Sequence, residues 1–350
     1  MRKLAYLYTS IIALSLILNA CSKKNSDNNT GGEPKIEDTK PTSPSIYVAG
    51  TSYKTYVGSN NSDIAVEYIA GDNNSKLILS SPHGGDKTLS YIRTRTEDYN
   101  YGTLSTDPYN SDKTFSGVAD SRTKELTLAM ADSIKKKTGL RPHIIINHLH
   151  RSKLDANRRI EVAAQGDANA QKAWKAYMAY VDSAKKTLKY YNTSGLLIDV
   201  HGNAHTPQRT EVGYLLNKDD FTTYKNSLNT WAAFTSIYAM VKGDVTLQDL
   251  IKGDYALGTL INEKSNPQIR TTPSKAFPEP ADKTFFGDGL YFNGGYITAR
   301  FGSRVKGETK ISSIQLEFNS DVRSATTTTR NKYAGQIADA LKVYMDKYFK

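Results

Sequence analysis

Residues 196–203 read LLIDVHGN, a short apolar run that ends in a histidine. A run of this kind, bounded by glycine, is typical of a strand inside a sheet that is covered on both faces. Similar runs stand at 76–81 (KLILSS), 142–147 (PHIIIN) and 311–318 (ISSIQLEF). Helical periodicity occupies the stretches 120–138, 159–191 and 323–348. Strands that alternate with helices predict an α/β fold with a mostly parallel, covered sheet.

The composition is that of a globular protein. Of 350 residues, 38% are hydrophobic and 23% charged, which argues against a polytopic membrane protein and against a wholly disordered chain. A single cysteine excludes a disulfide-stapled scaffold and a cysteine-based structural zinc site. The net charge of +11 comes from dispersed lysines and arginines, so we interpret it as a solvated surface and expect no nucleic-acid partner.

The first 45 residues predict a signal and a tether. Residues 1–20 join a short basic region to an almost uncharged run, as a secretory signal peptide does. They lead into Cys21, and the LNAC motif at 18–21 resembles a bacterial lipoprotein signal, in which the cysteine becomes lipidated. A signal-anchor helix with an incidental cysteine is the alternative. Residues 21–45 are almost free of apolar side chains and predict a disordered tether, which leaves 46–350 as the folded domain.

The lipoprotein signal implies a location in the bacterial cell envelope. The mature chain would start at Cys21 and attach to a membrane through an N-terminal lipid, as a periplasmic or outer-membrane anchored protein.

Polar residues follow three of the predicted strands, in SPHGGD at 81–86, DVHGN at 199–203 and QLEFN at 315–319. In open α/β sheets, ligands bind at the carboxyl ends of the strands. Two histidines and a carboxylate meeting there would suit a hydrolytic zinc site with one position open for water. A further carboxylate off the metal can carry the proton from that water to a leaving nitrogen. Each residue alone could be an ordinary turn or strand residue, so the metal interpretation depends on the whole set.

Residues 151–158 read RSKLDANR, and this R-x-x-x-D-x-N-R pattern resembles a signature of the N-formylglutamate amidohydrolase family. A related D-x-N-R occurs in aspartoacylases and, more loosely, in zinc carboxypeptidases. Further segments resemble blocks of the family in the same order, across about residues 76–323. They are SPHGG at 81–85, Asp120 before a helix, LIDVH at 197–201, GGYITAR at 294–300 and QLE at 315–317.

The resemblance implies a zinc carboxypeptidase-like fold, a single α/β domain with a twisted mixed sheet flanked by helices. It also implies one zinc ion per chain at the strand ends, and hydrolysis of an amide attached to a carboxylate-bearing group. His83 and His201 would bind the zinc, and Glu317 would be the general base that later protonates the leaving amine.

The resemblance also assigns the substrate contacts. Asn157 and Arg158 would hold the carboxylate of the substrate, because arginine forms a bidentate fork with that group. Arg158 is therefore predicted to belong to the catalytic set together with Glu317. Arg151 and Arg300 are further candidates, either for a second anionic group or for polarising the carbonyl.

Two carboxylates compete for the third metal position. Asp86 stands three residues after His83, the spacing at which carboxypeptidases place their acidic ligand. Asp120 is the alternative in the amidohydrolase pattern. We list both as candidates and expect only one to bind the metal.

The substrate is less defined than the chemistry. Two additional stretches, 88–112 and 218–288, could rebuild the substrate pocket. We expect a zinc-dependent hydrolase that acts outside the cytoplasm on an amide of an N-acyl amino acid, a peptide, or a cell-wall or glycan-derived compound. The alternative is a non-catalytic lipoprotein on the same fold that captures a ligand with its tyrosine-rich loops.

Overall fold

The computed structural model describes residues 40–104, 109, 114–192, 194–304 and 307–350. The predicted signal peptide, Cys21 and most of the predicted tether lie outside the described residues. Residues 40–45 have neither helix nor strand, and the hydroxyls of Ser45 and Thr187 share a hydrogen bond of 2.7 Å. Within the described ranges, no helix is both long enough and apolar enough to cross a membrane.

The strands of the described chain form one eight-stranded sheet. They are β1 (Ser52–Val57), β2 (Asp63–Ile69), β3 (Leu77–Ser81), β4 (His143–Asn147), β5 (Gly195–Gly202), β6 (Thr210–Gly213), β7 (Thr271–Thr272) and β8 (Ile311–Phe318). Their order in the sheet is β1-β2-β4-β3-β5-β8-β6-β7. The four central strands, β4, β3, β5 and β8, run parallel, whereas β2 joins β4 and β6 joins β8 antiparallel. The sheet is therefore mixed.

Helices cover both faces of this sheet. They are α1 (Thr123–Thr138), α2 (Ile160–Ala164), α3 (Ala168–Tyr191), α4 (Lys218–Thr223), α5 (Leu247–Lys252), α6 (Leu257–Lys264), α7 (Tyr296–Phe301) and α8 (Thr327–Tyr348). Helices α1, α6 and α8 pack over one face and α3 over the other. This arrangement confirms the predicted fold class, a single α/β domain whose mixed sheet is flanked by helices.

The helical stretch predicted at 159–191 is broken near its start, between α2 and α3. Gln165 and Gly166 both adopt positive φ, 45° and 81°, which ends α2 after one turn. The side chain of Asp167 then accepts a hydrogen bond from the backbone N–H of Ala170 and caps the start of α3. The break turns the chain so that α3 can cross the sheet while the 148–159 segment stays near the strand ends.

Successive side chains of a central strand point to opposite faces of the sheet, so only every second one lies on the face covered by α3. The even-numbered residues of β5, within 196–200, pack beneath α1 and α8, so Asp199 and His201 lie on the opposite face. The even-numbered residues within 314–318 do the same in β8. Glu317 is paired in register with His201 on the neighbouring strand. A polar stripe therefore lies on the α3 face, at the carboxyl ends of β5 and β8.

Candidate metal centre

Three buried side chains, His83, Asp120 and His201, form a group that could hold a metal ion. Their donor atoms all lie within 4.8 Å of one another. The Oδ2 atom of Asp120 is 3.3 Å from His83 Nδ1 and 3.1 Å from His201 Nδ1. His83 follows β3, Asp120 precedes α1, and His201 lies near the end of β5. The backbone N–H of Asp120 donates to the carbonyl of His83, which holds the two loops together.

Two further carboxylates orient the histidines. Asp155 Oδ1 lies 2.6 Å from His83 Nε2, and Asp199 Oδ2 lies 2.8 Å from His201 Nε2. Both carboxylates are fully buried. A carboxylate on one imidazole nitrogen keeps the proton there and turns the other nitrogen toward a metal, which is the usual support of metal-binding histidines. Both rings therefore present Nδ1 to the same point beside Asp120.

The sequence interpretation gave neither carboxylate this role. Asp199 has a local signal, since it alternates with His201 and must lie on the same face of β5. Asp155 has none, because it meets His83 across 72 residues.

The charges of the group favour ionised carboxylates. Burial opposes the ionisation of Asp120, but the neighbouring imidazoles of His83 and His201 hold the pKa of its carboxyl below the ordinary value. Burial also opposes the ionisation of Asp155. The positive charge of Arg151 and the imidazole of His83 outweigh it and hold the pKa of Asp155 well below the usual range. At His201, burial lowers the pKa of the imidazole. The carboxylates of Asp199 and Asp120 outweigh burial and raise that pKa well above its ordinary value. A carboxylate-rich cluster of this kind is suited to a cation.

Glu317 stands beside the group with one oxygen unused. Its Oε1 accepts a hydrogen bond of 2.8 Å from Gln315 Nε2 and lies 3.9 Å from His201 Nδ1. Its Oε2 is buried and has no hydrogen-bond partner among the described residues. Burial, with the nearby carboxylates of Asp120 and Glu211, raises the pKa of Glu317 to about 8. A carboxylate of raised basicity next to a possible metal position can accept a proton.

A second acid, Glu211, supports this side of the site. It pairs in register with Glu317 across β6 and β8. Its Oε1 accepts from His205 Nδ1 at 2.7 Å and from Arg209 Nε at 2.9 Å, and its Oε2 accepts from the backbone N–H of Phe292. Since each oxygen has a donor, the side chain of Glu211 is held in place behind Glu317. The sequence interpretation gave no role to Glu211, Arg209 or His205.

The structure brings Arg151 and Asn157 to the cluster. Arg151 Nε donates to Asp155 Oδ2 at 2.9 Å, and its Nη1 lies 3.6 Å from Asp120 Oδ1. Asn157 Nδ2 lies 3.2 Å from His201 Nε2, and its Oδ1 accepts from the backbone N–H of Ile297. Arg151 therefore contacts the carboxylates that support the cluster, and Asn157 contacts His201.

The other two candidate arginines lie differently. Arg158 donates to the backbone carbonyls of Thr114 and Asn157, at 3.3 Å and 3.0 Å. Arg300, on α7, donates to the hydroxyl of Tyr296 at 3.1 Å. Its guanidinium also lies 5.4–6.0 Å from four aromatic ring centroids, those of Tyr109, Trp174, Tyr296 and Phe301. The described contacts of Arg300 are thus with aromatic rings rather than with the histidine cluster.

Of the two competing carboxylates, the structure groups Asp120 with the histidines and leaves Asp86 apart. The backbone at Gly85 and Lys87 forms bridges to the 149–150 segment, and Asp86 between them points outward. Its side chain is 78% exposed and lies 3.5 Å from Lys124 Nζ. The spacing after His83 therefore does not bring Asp86 to the cluster.

No family model matches the sequence, and no curated protein matches it. Several solved structures overlap the chain distantly. N-formylglutamate amidohydrolase from Ralstonia eutropha JMP134 is 9% identical with a TM-score of 0.43, over 81% of this chain and 97% of that chain. A gene product of Agrobacterium tumefaciens is 11% identical with a TM-score of 0.35, over 81% and 95%. Cwp6 from Clostridium difficile is 13% identical with a TM-score of 0.29, over 77% and 29%. Similarity this distant carries no argument about activity, which must come from the side chains.

Proposed function

We propose that this protein is a zinc-dependent hydrolase that cleaves an amide bond in a carboxylate-bearing substrate. The observation that carries the proposal is the buried group of His83, Asp120 and His201, with the unpartnered oxygen of Glu317 beside it. A protein that needed these residues only for stability would gain little from burying so many ionisable groups together, because each must be desolvated.

The donor set fits zinc. Two imidazole nitrogens and one carboxylate oxygen are the ligands that catalytic zinc takes while keeping a position open. His83, Asp120 and His201 would hold the ion, with Asp155 and Asp199 fixing the imidazole tautomers. When bound, zinc would polarise the amide carbonyl and lower the pKa of a water molecule.

Glu317 moves the proton in this mechanism. Its Oε2 accepts a proton from the attacking water, whose oxygen forms a new bond to the amide carbon. The carbon–nitrogen bond then breaks, and Glu317 returns the proton to the leaving nitrogen. The products are a carboxylic acid and an amine, and the carboxylate of Glu317 is regenerated.

The arginines of the 151–158 motif would orient the substrate. Arg151 lies at the edge of the cluster, with its guanidinium held by Asp155 and Asp120. Arg158 follows on the same segment. Their positive charges support a role in holding a carboxylate of the substrate, together with the amide of Asn157. In this proposal Arg300 does not contact the reacting bond, because its described contacts are with aromatic side chains.

The proposed site of action is the cell envelope. The support is the signal-like sequence before Cys21, the only cysteine of the chain. A lipid on Cys21 would attach the hydrolase to a membrane outside the cytoplasm. There its substrates would be N-acyl amino acids, peptides, or amides derived from the cell wall or glycans.

The test combines metal analysis with turnover in three proteins. Wild type should bind about one zinc per chain, His201→Ala should lose it, and Glu317→Gln should keep the metal. Amide hydrolysis should fall by roughly 10²- to 10⁴-fold in Glu317→Gln, because only the proton carrier is removed. Full activity of a chelator-treated wild type would refute the proposal. Tight binding of an N-acyl compound with no metal and no turnover would favour the ligand-binding alternative.

A further inference from the structure

A cavity of about 420 Å³ lies next to Asn157 of the metal centre and has no part in the mechanism above. Its volume lies in the range of small-molecule sites, about 300–1,000 Å³. Most of its lining comes from residues 215–234 and 293–304, which include part of the additional stretch singled out in the sequence.

One side of the cavity is aromatic. Trp231 and Phe234 lie on the same 3₁₀ turn, Leu228–Phe234, with ring centroids 5.3 Å apart and planes at 51°. Tyr224 packs against Trp231 at 4.6 Å, which fixes the indole, and Phe234 is 53% exposed. Large rings left open to water inside a cavity are typical of ligand contacts.

The rest of the lining is polar. Asn293 Nδ2 donates to Asn217 Oδ1 at 2.9 Å, which leaves Asn293 Oδ1 as an acceptor and Asn217 Nδ2 as a donor. Asp220 adds a carboxylate, whose Oδ2 accepts from the backbone N–H of Asn217 at 2.7 Å. Arg304 adds a guanidinium that forms no ion pair with any residue in the described ranges. Donors and acceptors therefore face the same space as the two rings.

The cavity shares a wall with the metal centre. Gly295 lines the cavity and also packs on Asn157, so closely that an added Cβ would lie 2.1 Å from Asn157 Nδ2. Asn157 Nδ2 is in turn 3.2 Å from His201. On the same rim, Leu215 holds a positive φ of 71° while its N–H donates to the carbonyl of Asn293. A group bound here would be close to an amide at the histidines.

We propose that this cavity is a subsite for a saccharide unit of the substrate. The faces of Trp231 and Phe234 would pack on the C–H face of a sugar ring, and the surrounding amide, carboxylate and guanidinium groups would bond its hydroxyls. An apolar amino-acid side chain would give no hydrogen bond to Asn293 Oδ1 or Asn217 Nδ2, which is unfavourable. The subsite rests on the proposed function for its role in hydrolysis, whereas saccharide binding itself does not depend on that role.

The test is direct binding by the full chain, measured calorimetrically and by tryptophan fluorescence. The probes are N,N′,N″-triacetylchitotriose, cellotriose and maltotriose. At least one should bind with a Kd of about 1 mM or below. Trp231→Ala and Asn293→Ala should each weaken that binding by about tenfold or more. Tyr255→Ala is the matched control, since Tyr255 is 45% exposed but does not line the cavity, and its binding should match wild type.

Two results would overturn the subsite. One is no binding of any of the three trisaccharides up to about 10 mM. The other is wild-type affinity in both Trp231→Ala and Asn293→Ala, with folding of each variant checked by circular dichroism.

Hydrolysis separates this inference from the proposed function. His201→Ala should bind the trisaccharide normally while losing hydrolysis. Saccharide binding by a wild type that hydrolyses no amide would refute the proposed function and leave the subsite standing.

Discussion

Asp155 and Asp199 determine which nitrogen of each histidine faces Asp120. Asp199 accepts from Ser80 Oγ at 2.6 Å on one oxygen and contacts His201 Nε2 with the other. Asp199→Asn keeps the size of the side chain but removes the charge that fixes the imidazole. We expect metal affinity to fall by about 10- to 100-fold, measured by competition with a chromophoric chelator. Ser80→Ala, which removes only the second hydrogen bond, should have a smaller effect. Equal affinity in Asp199→Asn and wild type would contradict this role.

Asp120 and Asp86 offer a matched pair of substitutions. Asp120→Asn replaces the one carboxylate oxygen that lies between the two Nδ1 atoms, so the metal should be lost at equimolar zinc. Asp86→Asn changes an exposed side chain and should bind metal as wild type does. Elemental analysis of both proteins after gel filtration distinguishes them. Loss of metal in Asp86→Asn alone would show that Asp86 is the third metal ligand, at the spacing found in carboxypeptidases.

Residue types at strand ends were enough to predict that His83, His201 and Glu317 would meet. Parallel strands bring their carboxyl ends together whatever the loops do, so the histidines and the glutamate needed no loop geometry. The choice between Asp86 and Asp120 did need it, because a bridge to the 149–150 segment turns Asp86 outward. The same holds for Asp155, which reaches His83 from a distant segment. Contacts made by loops were therefore the part that the sequence could not supply.

At the scale of elements, the start of α7 is fitted around Asn157. The backbone N–H of Ile297 donates to Asn157 Oδ1 at 2.8 Å, and Gly295 caps the helix in an extended conformation that any residue can adopt. Gly295→Ala therefore tests close packing alone, since its Cβ would lie 2.1 Å from Asn157 Nδ2. We expect the free energy of unfolding to fall by about 1–3 kcal/mol, measured in urea.

The control for this substitution is Gly335→Ala. Gly335 lies within α8, and a Cβ there would meet nothing within 4 Å. Alanine at that position should raise the free energy of unfolding by about 0.5–1 kcal/mol, because glycine weakens a helix interior. If the free energy of unfolding fell by a similar amount in both variants, the contact with Asn157 would not be the reason that position 295 requires glycine.

The strands that the sequence predicted are the ones buried on both faces. The four parallel strands are short apolar runs, and the helices 123–138 and 327–348 begin a few residues inside their predicted bounds. The edge strand β1, SYKTYV, was missed because it alternates exposed and half-buried residues and has no apolar run. Its polar residues resemble those of the loops around it. Edge strands gain their structure from a neighbour, which local sequence does not show.

At the scale of the whole molecule, the pairing of β2 with β4 contains a buried titratable group. His143, on β4, is 1% exposed, and its Nδ1 accepts from the backbone N–H of Gly71 at 3.0 Å and contacts the hydroxyl of Tyr68 at 2.8 Å. Burial lowers the pKa of His143 from 6.5 to about 4. The neutral ring is therefore the form that the folded sheet accepts, since Nδ1 must remain an acceptor.

This burial makes the stability of the domain depend on pH. Between about pH 6.5 and 4 the unfolded chain binds a proton that folded His143 does not, so stability falls as the pH falls through that window. The contribution is fully present above pH 6.5, and up to about 3 kcal/mol is lost by pH 4. Urea unfolding of the metal-free protein between pH 4 and 8 measures it without interference from metal release. His143→Gln, which cannot titrate, should show a flatter dependence than wild type. Parallel curves for the two proteins would mean that other acidic groups, and not the pairing of β2 with β4, set the acid sensitivity of the fold.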